Sequence, residues 1–271
     1  MLISVVVTTY NQPAWLEKVL WGLAAQEDRD FELVVADDGS DPDTRSRAEA
    51  LQGELGVPLR YEWRPHAGFG KCAILNQAIR ACRGDYLVFL DGDCIPRRDF
   101  LAVHRVLAAP GRFLSGGAFR LPMGTSQAIT REDIHSGRVM SPGWLRAHGV
   151  PWSFRLARLG AGPRLARALD RLTPTRATFN GGNASAWRSD ILAVNGFDER
   201  MGHGGLDREF GARLANLGLR GRQVRHRAVV LHLDHARGYR DAETVRRNRA
   251  IWDETKATGR IRAVAGLDPQ A

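Results

Sequence analysis

The run Ile3-Ser4-Val5-Val6-Val7-Thr8-Thr9 is mostly β-branched and reads as a strand. It stops at Tyr10-Asn11-Gln12-Pro13, where a proline suited to a first helical turn follows polar capping candidates. Leu16, Val19, Leu20 and Leu23 then recur at i, i+3, i+4 and i+7, which predicts a helix with one apolar stripe. The pattern repeats with a strand over Phe31 to Ala36, a short helix from Asp41-Pro42 to about Leu51, a strand over Leu59 to Trp63, and a helix marked by Leu75, Ala78, Ile79 and Cys82. A Gly84-Asp85 turn leads into Tyr86-Leu87-Val88-Phe89-Leu90, a continuous apolar run that predicts a fully buried strand. This alternation predicts an α/β fold with a mostly parallel central sheet flanked by helices.

Beyond it the spacing predicts a helix from about Arg98 to Ala108 and a strand over Phe113 to Phe119, weakened by Gly116-Gly117. From Leu121 to Thr178 the chain turns Pro-, Gly- and Arg-rich with short helical pieces, as expected of an insertion or lid rather than a second core. Order resumes at Phe179 to Trp187, with a helix through Val194, a helix over Arg208 to Leu217, a strand over Val224 to Leu231 and a polar helix over Ala242 to Thr258. The expected division is therefore 1–120, 121–178 and 179–271.

With 271 residues, 44% of them hydrophobic, the chain can bury a sizeable core. No stretch approaches the roughly 20 apolar residues needed to span a bilayer, and Met1-Leu2-Ile3 enters a strand with no basic leader before it. The expectation is cytoplasmic residence, with peripheral attachment at the inner face of the plasma membrane as a second option. Lys and Arg outnumber Asp and Glu by 39 to 30, which favours a polyanionic partner. Nucleic acid is excluded, because no zinc finger, RNP-like or helix-turn-helix pattern is present and acidic turns would repel its backbone. Between Trp144 and Leu172, Arg146, Arg155, Arg158, Arg164, Arg167 and Arg171 alternate with apolar residues. This is either a basic segment for an anionic membrane surface or a helical insertion with a solvated arginine face. Cys72, Cys82 and Cys94 match no zinc spacing and read as reduced packing residues.

The buried strand at Tyr86 delivers Asp91 and Asp93 across one glycine to its carboxyl end, where an α/β sheet keeps its ligand site. Two such carboxylates can share a hard divalent cation; alone, the motif reads equally as a surface turn. A second strand ends likewise in Asp37-Asp38-Gly39-Ser40-Asp41, and two neighbouring acidic turns would build one polar crevice.

In chain order the polar landmarks are Thr8 to Asn11, Asp38, Lys71 with Asn76, Asp91 with Asp93, Asn180 to Asn183, Asp207, and His232 with His235. On Ser4 to Asn11, Val34 to Ser40, Gly70-Lys71 with Asn76, and Gly84 to Asp93, the chain resembles the glycosyltransferase family 2 group of GT-A fold enzymes. Asn180 to Asn183, Gly196 to Glu199 and Gly204 to Leu214 resemble the galactosyltransferase-type half of chondroitin-polymerase-like enzymes. The resemblance implies that Asp93 ligates Mn²⁺ or Mg²⁺, with His235 or His232 completing the metal shell, and that Asp91 faces the ribose or the metal. It implies that Asp38 meets the uracil, Thr8 and Tyr10 line the base pocket, and Lys71 and Asn76 lie near the nucleotide. It implies that Asp207 is the catalytic base, preceded by Leu206 where relatives carry Glu. His203 stands where relatives often have Trp and would either stack on the sugar or cap the loop, and Asn183 and Trp187 are candidate sugar contacts, Trp187 reading equally as core. The expected activity is inverting transfer of a hexose or hexosamine from a UDP-sugar to a glycan or lipid-linked acceptor in surface polysaccharide synthesis. A sugar nucleotidyltransferase is the enzymatic rival, although Thr8-Thr9-Tyr10-Asn11 lacks its glycine-rich phosphate loop. A basic membrane- or polyanion-binding module on a degenerate transferase scaffold is the non-enzymatic one.

Overall fold

The computed structural model describes residues 1–236 and 241–268. Its strands are β1 (Ile3–Thr9), β2 (Phe31–Asp37), β3 (Leu59–Trp63), β4 (Tyr86–Asp91), β5 (Cys94–Pro96), β6 (Arg112–Ser115), β7 (Gly117–Arg120), β8 (Asn183–Trp187), β9 (Arg220–Gln223) and β10 (Val229–His232). Among the described residues they form a seven-stranded sheet in the order β3-β2-β1-β4-β8-β6-β9 and a three-stranded sheet in the order β5-β10-β7. The first is mostly parallel, with β8 antiparallel to both β4 and β6.

Side chains of β1 alternate between the sheet's two faces, as the twofold period of a strand requires. Ile3, Val5 and Val7 join Leu16, Leu20 and Leu23 of the helix Pro13–Ala24 in one core. Val6 joins Ile74, Leu75 and Ala78 of the helix Lys71–Ala81 in the other. The register pairs Thr9 with Asp37 and Thr8 with Asp91, so the acidic turns after β2 and β4 emerge side by side. Between Leu121 and Thr178 the chain forms short helices, and Ile134, Leu145 and Leu156 of this stretch pack into the same core as Val5.

Two strand expectations need correction. Phe113 to Phe119 is two strands in different sheets. The chain changes sheets at Gly116, whose N–H donates to the Asn183 carbonyl at 2.9 Å, while the N–H of Gly117 donates to Ala228 at 3.0 Å. Val224 to Leu231 is likewise interrupted. Val224 donates to Ser115 in the large sheet, Arg227 and Ala228 then fold back on the Val224 carbonyl, and β10 begins at Val229 in the small sheet. The helix expected from Arg98 begins at Phe100. The three cysteines are buried and free, and among the described residues no helix is long and apolar enough to cross a membrane.

The carboxyl-terminal part is tied together by a buried ion pair. Arg213 and Glu209, four residues apart on the helix Leu206–Asn216, meet at 2.9 Å with both side chains inaccessible to solvent. Arg213 Nη1 also donates to the carbonyls of Val194 and Gly196, and Thr255 Oγ1 of the helix Ala242–Thr258 donates to Glu209. Removing one partner strands a buried charge and frees two carbonyls. Arg213→Leu should cost about 3–5 kcal/mol of stability, read as a fall in the urea midpoint at unchanged m-value.

Candidate active site

Thr8, Tyr10, Asp38, Lys71, Asp91, Asp93, His203, Asp207, His232 and His235 all line one cleft of about 760 Å³ at the carboxyl ends of β1, β2 and β4. No residue of 121–178 contributes to its wall. Asp91 closes β4, and its Oδ1 accepts from Thr8 Oγ1 at 3.0 Å and from Lys71 Nζ at 2.6 Å. Burial alone would discharge Lys71, but the carboxylates of Asp91, Asp207 and Asp93 outweigh it and raise the ammonium's pKa. Lys71 is therefore a permanent cation among three acids.

Asp93 follows across Gly92, whose N–H donates to the Thr8 carbonyl at 2.7 Å. Its Oδ2 lies 3.1 Å from His235 Nε2 and 3.8 Å from His232 Nε2, and Cys94 Sγ donates to its Oδ1 at 3.3 Å. The two imidazoles lie 5.6 Å apart and nearly parallel. Each Nδ1 faces a backbone carbonyl, that of Leu233 at 2.8 Å and that of Ala236 at 3.0 Å. A carbonyl only accepts, so the proton of a neutral ring belongs on Nδ1 and the Nε2 lone pairs are left toward Asp93. In the metal-free protein, with a proton on Nε2 as well, the hydrogen bond from His235 and the charge of His232 more than offset the burial that pushes the Asp93 carboxyl up, so its pKa is lowered. One carboxylate oxygen approached by two imidazole nitrogens is a donor set whose chemistry fits a divalent cation such as Mn²⁺. Donor atoms of Asp93, Cys94 and His232 come within 4.8 Å of one another.

Asp207 enters the cleft from the first turn of Leu206–Asn216. Its Oδ1 is shielded from solvent and faces the Gly181 backbone, whose N–H stabilises the charged form. Burial first, and the Asp91 charge with it, raise its pKa against the pull of Lys71. Between the two acids runs the Gly181-Gly182 backbone. A Cβ on Gly181 would fall 2.6 Å from Asp207 Oδ1, and one on Gly182 would fall 2.6 Å from Asp91 Oδ2. Only glycine lets the backbone approach both carboxylates.

Asn76 and Asn183 depart from expectation, for both are fully buried and neither lines the cleft. Asn76 Nδ2 donates to the Phe197 carbonyl and to Glu199, and its Oδ1 accepts from the Phe197 N–H. Asn183 Nδ2 donates to the carbonyls of Gly117 and Ala228, binding the point where the chain changes sheets, and its Oδ1 pairs with His104 Nε2. Each amide spends its hydrogen-bonding capacity on backbone or scaffold. Trp187 packs edge-on against Tyr86 in the interior.

Residues 4–108 match the profile of glycosyl transferase family 2, and residues 166–236 match the N-terminal domain of galactosyltransferase. Residues 4–108 form a glycosyltransferase family 2 domain. Validoxylamine A glucosyltransferase of Streptomyces hygroscopicus subsp. jinggangensis is 31% identical over 79% of this chain and 51% of its own length. Chondroitin synthase of Escherichia coli is 27% identical over 82% of this chain and 33% of its own. The chain thus spans about half the length of the first of these relatives and less of the second. Among solved structures, the mannosyltransferase PcManGT of Pyrobaculum calidifontis, in complex with GDP-Man and Mn²⁺, superposes with a TM-score of 0.58 at 25% identity, covering 88% of this chain and 58% of that one. S. aureus TarS 1–349 in complex with UDP-GlcNAc gives 0.64 at 18% identity over 98% and 68%. The fold is GT-A.

The cleft has further lining residues that local sequence did not single out. His66 stacks on Tyr10 with ring centroids 4.6 Å apart, and its Nδ1 lies 3.1 Å from the Asp38 carbonyl. Asp38 itself accepts from Arg64 Nη1 at 2.9 Å and from the Gly70 N–H at 2.7 Å. Phe69 meets His203 edge-on at 5.5 Å. Arg120, paired with His232 in the β7–β10 register, and Arg247 of the terminal helix bring positive charge to the rim. The exposed Phe69 beside Gly68 and Gly70 was a readable sign; Arg120 and Arg247 had none, since only the tertiary fold carries them here.

The raised pKa of Asp207 has a testable consequence in the metal-free protein. A carboxyl whose folded pKa lies above its ordinary 3.8 costs stability as pH rises through that window, because the unfolded chain ionises more readily. Asp207→Asn should therefore be at least as stable as the wild type at neutral pH, with the difference shrinking as pH falls toward 3.8. Urea titrations in EDTA across that range measure it.

Proposed function

We propose that the chain is an inverting glycosyltransferase that moves a hexose or hexosamine from a UDP-sugar to an acceptor hydroxyl, with Mn²⁺ or Mg²⁺ held by Asp93, His235 and His232 and with Asp91 beside it. The observation that carries this reading is that Asp93 and Asp207, from separate parts of the chain, open onto the same cleft. A divalent cation there would supply neutralisation of the charge that develops on the departing diphosphate. The chain's own groups do the rest. Tyr10 and His66 offer flat surfaces to the nucleobase, and Asp38, fixed by Arg64 and Gly70, borders the same end. Lys71 orients Asp91 and would add positive charge close to the phosphates. Asp207 takes the acceptor's proton as its oxygen attacks the sugar from the face opposite the diphosphate. Its raised pKa brings it closer to the value at which a general base works best.

Residues 1–120 then serve the nucleotide sugar and 179–271 carry the base and the acceptor side. TarS, solved with UDP-GlcNAc, supports UDP as the nucleotide, and the PcManGT complex makes GDP the competitor to exclude. The chondroitin and hyaluronan synthases among the relatives support a glycan or lipid-linked acceptor in surface polysaccharide synthesis.

Calorimetric titration with UDP, with and without Mn²⁺, tests the division of roles. The wild type should bind UDP more tightly with metal, Asp93→Asn should lose that metal-linked gain, and Asp207→Asn should keep it while losing transfer by about a thousandfold or more. Equal loss of nucleotide affinity in both variants contradicts the assignment. Gly182→Ala, which pushes on Asp91, should fold yet lose about a hundredfold in donor hydrolysis over a panel of UDP- and GDP-sugars with Mn²⁺.

A further inference from the structure

Outside the lining of the cleft, the stretch 152–172 carries large apolar side chains in the open. Trp152, Phe154, Leu165 and Leu172 are 63%, 81%, 56% and 78% exposed, against the few-percent exposure of the core. On the helix Pro163–Leu172, Ala166 and Asp170 face inward. At 100° per residue the exposed Arg164, Arg167 and Arg171 form one strip along the helix, and the exposed Leu165 and Leu172 form the next strip around it. On the helix Phe154–Leu159, Leu156 and Leu159 are buried, leaving Phe154 and Arg158, one turn apart, together at the surface.

The fold adds a second set of cations that the sequence does not place here. Asp170, the only acid between residues 152 and 178, accepts from Arg227 Nε at 2.6 Å and from the His226 N–H at 2.9 Å. This pins the 224–228 turn onto the arginine helix. Arg222 of β9 is pushed below the ordinary guanidinium value by burial, by Arg227 and Arg112 and, more weakly, by Arg171. Arg225 is lowered by burial and, on the charge side, by Arg155. Its Nε is shielded without a hydrogen-bond partner among the described residues. So arginines from three separate chain segments repel one another around one engaged carboxylate, and an external anion would relieve them.

We propose that this face docks on an anionic lipid surface, its arginines meeting headgroup phosphates and Trp152, Phe154, Leu165 and Leu172 entering the headgroup boundary. The apolar side chains decide for lipid over a soluble polyanion, which would engage the arginines and gain nothing from an exposed phenylalanine. β10 runs from the arginine turn to His232, so about 10 Å of strand links the docking face to the cleft. A membrane-bound acceptor would be brought near the donor site by that geometry.

Flotation with phosphatidylcholine vesicles, alone or mixed with phosphatidylglycerol, tests the proposal without donor, metal or acceptor, so it stands or falls separately from the transferase reading. The wild type should float with the mixed vesicles, not with neutral ones, and release as salt rises. The triple variant R164E/R167E/R171E should bind about a hundredfold more weakly. The pair Phe154→Ser and Leu172→Ser, both at exposed positions and so expected to leave the melting temperature unchanged, should bind about tenfold more weakly while retaining wild-type affinity for dextran sulfate. Equal flotation with neutral vesicles, full binding by the arginine variant, or retention on dextran sulfate with no vesicle binding by the wild type would overturn it.

Discussion

The Lys71 ammonium lies among three carboxylates, and the chemistry of the cleft rests on that balance. Asp91 bonds to it directly at 2.6 Å, while Asp207 and Asp93 act on it through their charge. Without a cation, acids brought together at low dielectric would protonate rather than share a site. The backbone sets how closely they meet. The β1 register brings the ends of β2 and β4 level, and the side-chain-free pair Gly181-Gly182 passes between Asp91 and Asp207. The lining comes from the first ninety or so residues, from Arg120 and from beyond residue 200, and the buried Arg213–Glu209 pair holds the helix that presents Asp207.

Much of this was legible in the sequence because the early strands and helices carry strong periodicity. The helix Lys71–Ala81 and the helix Ala242–Thr258 fall where apolar spacing and polar composition predict them. Legibility failed where one apolar run serves two sheets. Phe113 to Phe119 and Val224 to Leu231 both look like single strands, yet each changes sheets at a turn fixed by long-range hydrogen bonds that no local pattern encodes. The asparagines fail for a related reason. Asn183 lies in a motif whose cleft-side work falls to the neighbouring glycines, and its own amide is committed to joining the two sheets. Type and spacing located the motif; only the fold tells which of its side chains faces the cleft.

The stretch 121–178 shows the same division between composition and placement. Its arginines and exposed aromatics are visible as text, but their companions, Arg222, Arg225 and Arg227, lie some fifty residues further on. Since none of its side chains lines the cleft, its conspicuous surface is available for contact with something larger than a nucleotide sugar.

Anomalous diffraction from crystals soaked with Mn²⁺ and UDP tests the central claim most directly. The account predicts one strong manganese peak bounded by Asp93 Oδ2, His232 Nε2 and His235 Nε2, with the diphosphate against it and Asp207 facing the open side of the sugar position. A manganese peak elsewhere, or a nucleotide bound with Asp207 on the far side of the protein from it, would contradict the account.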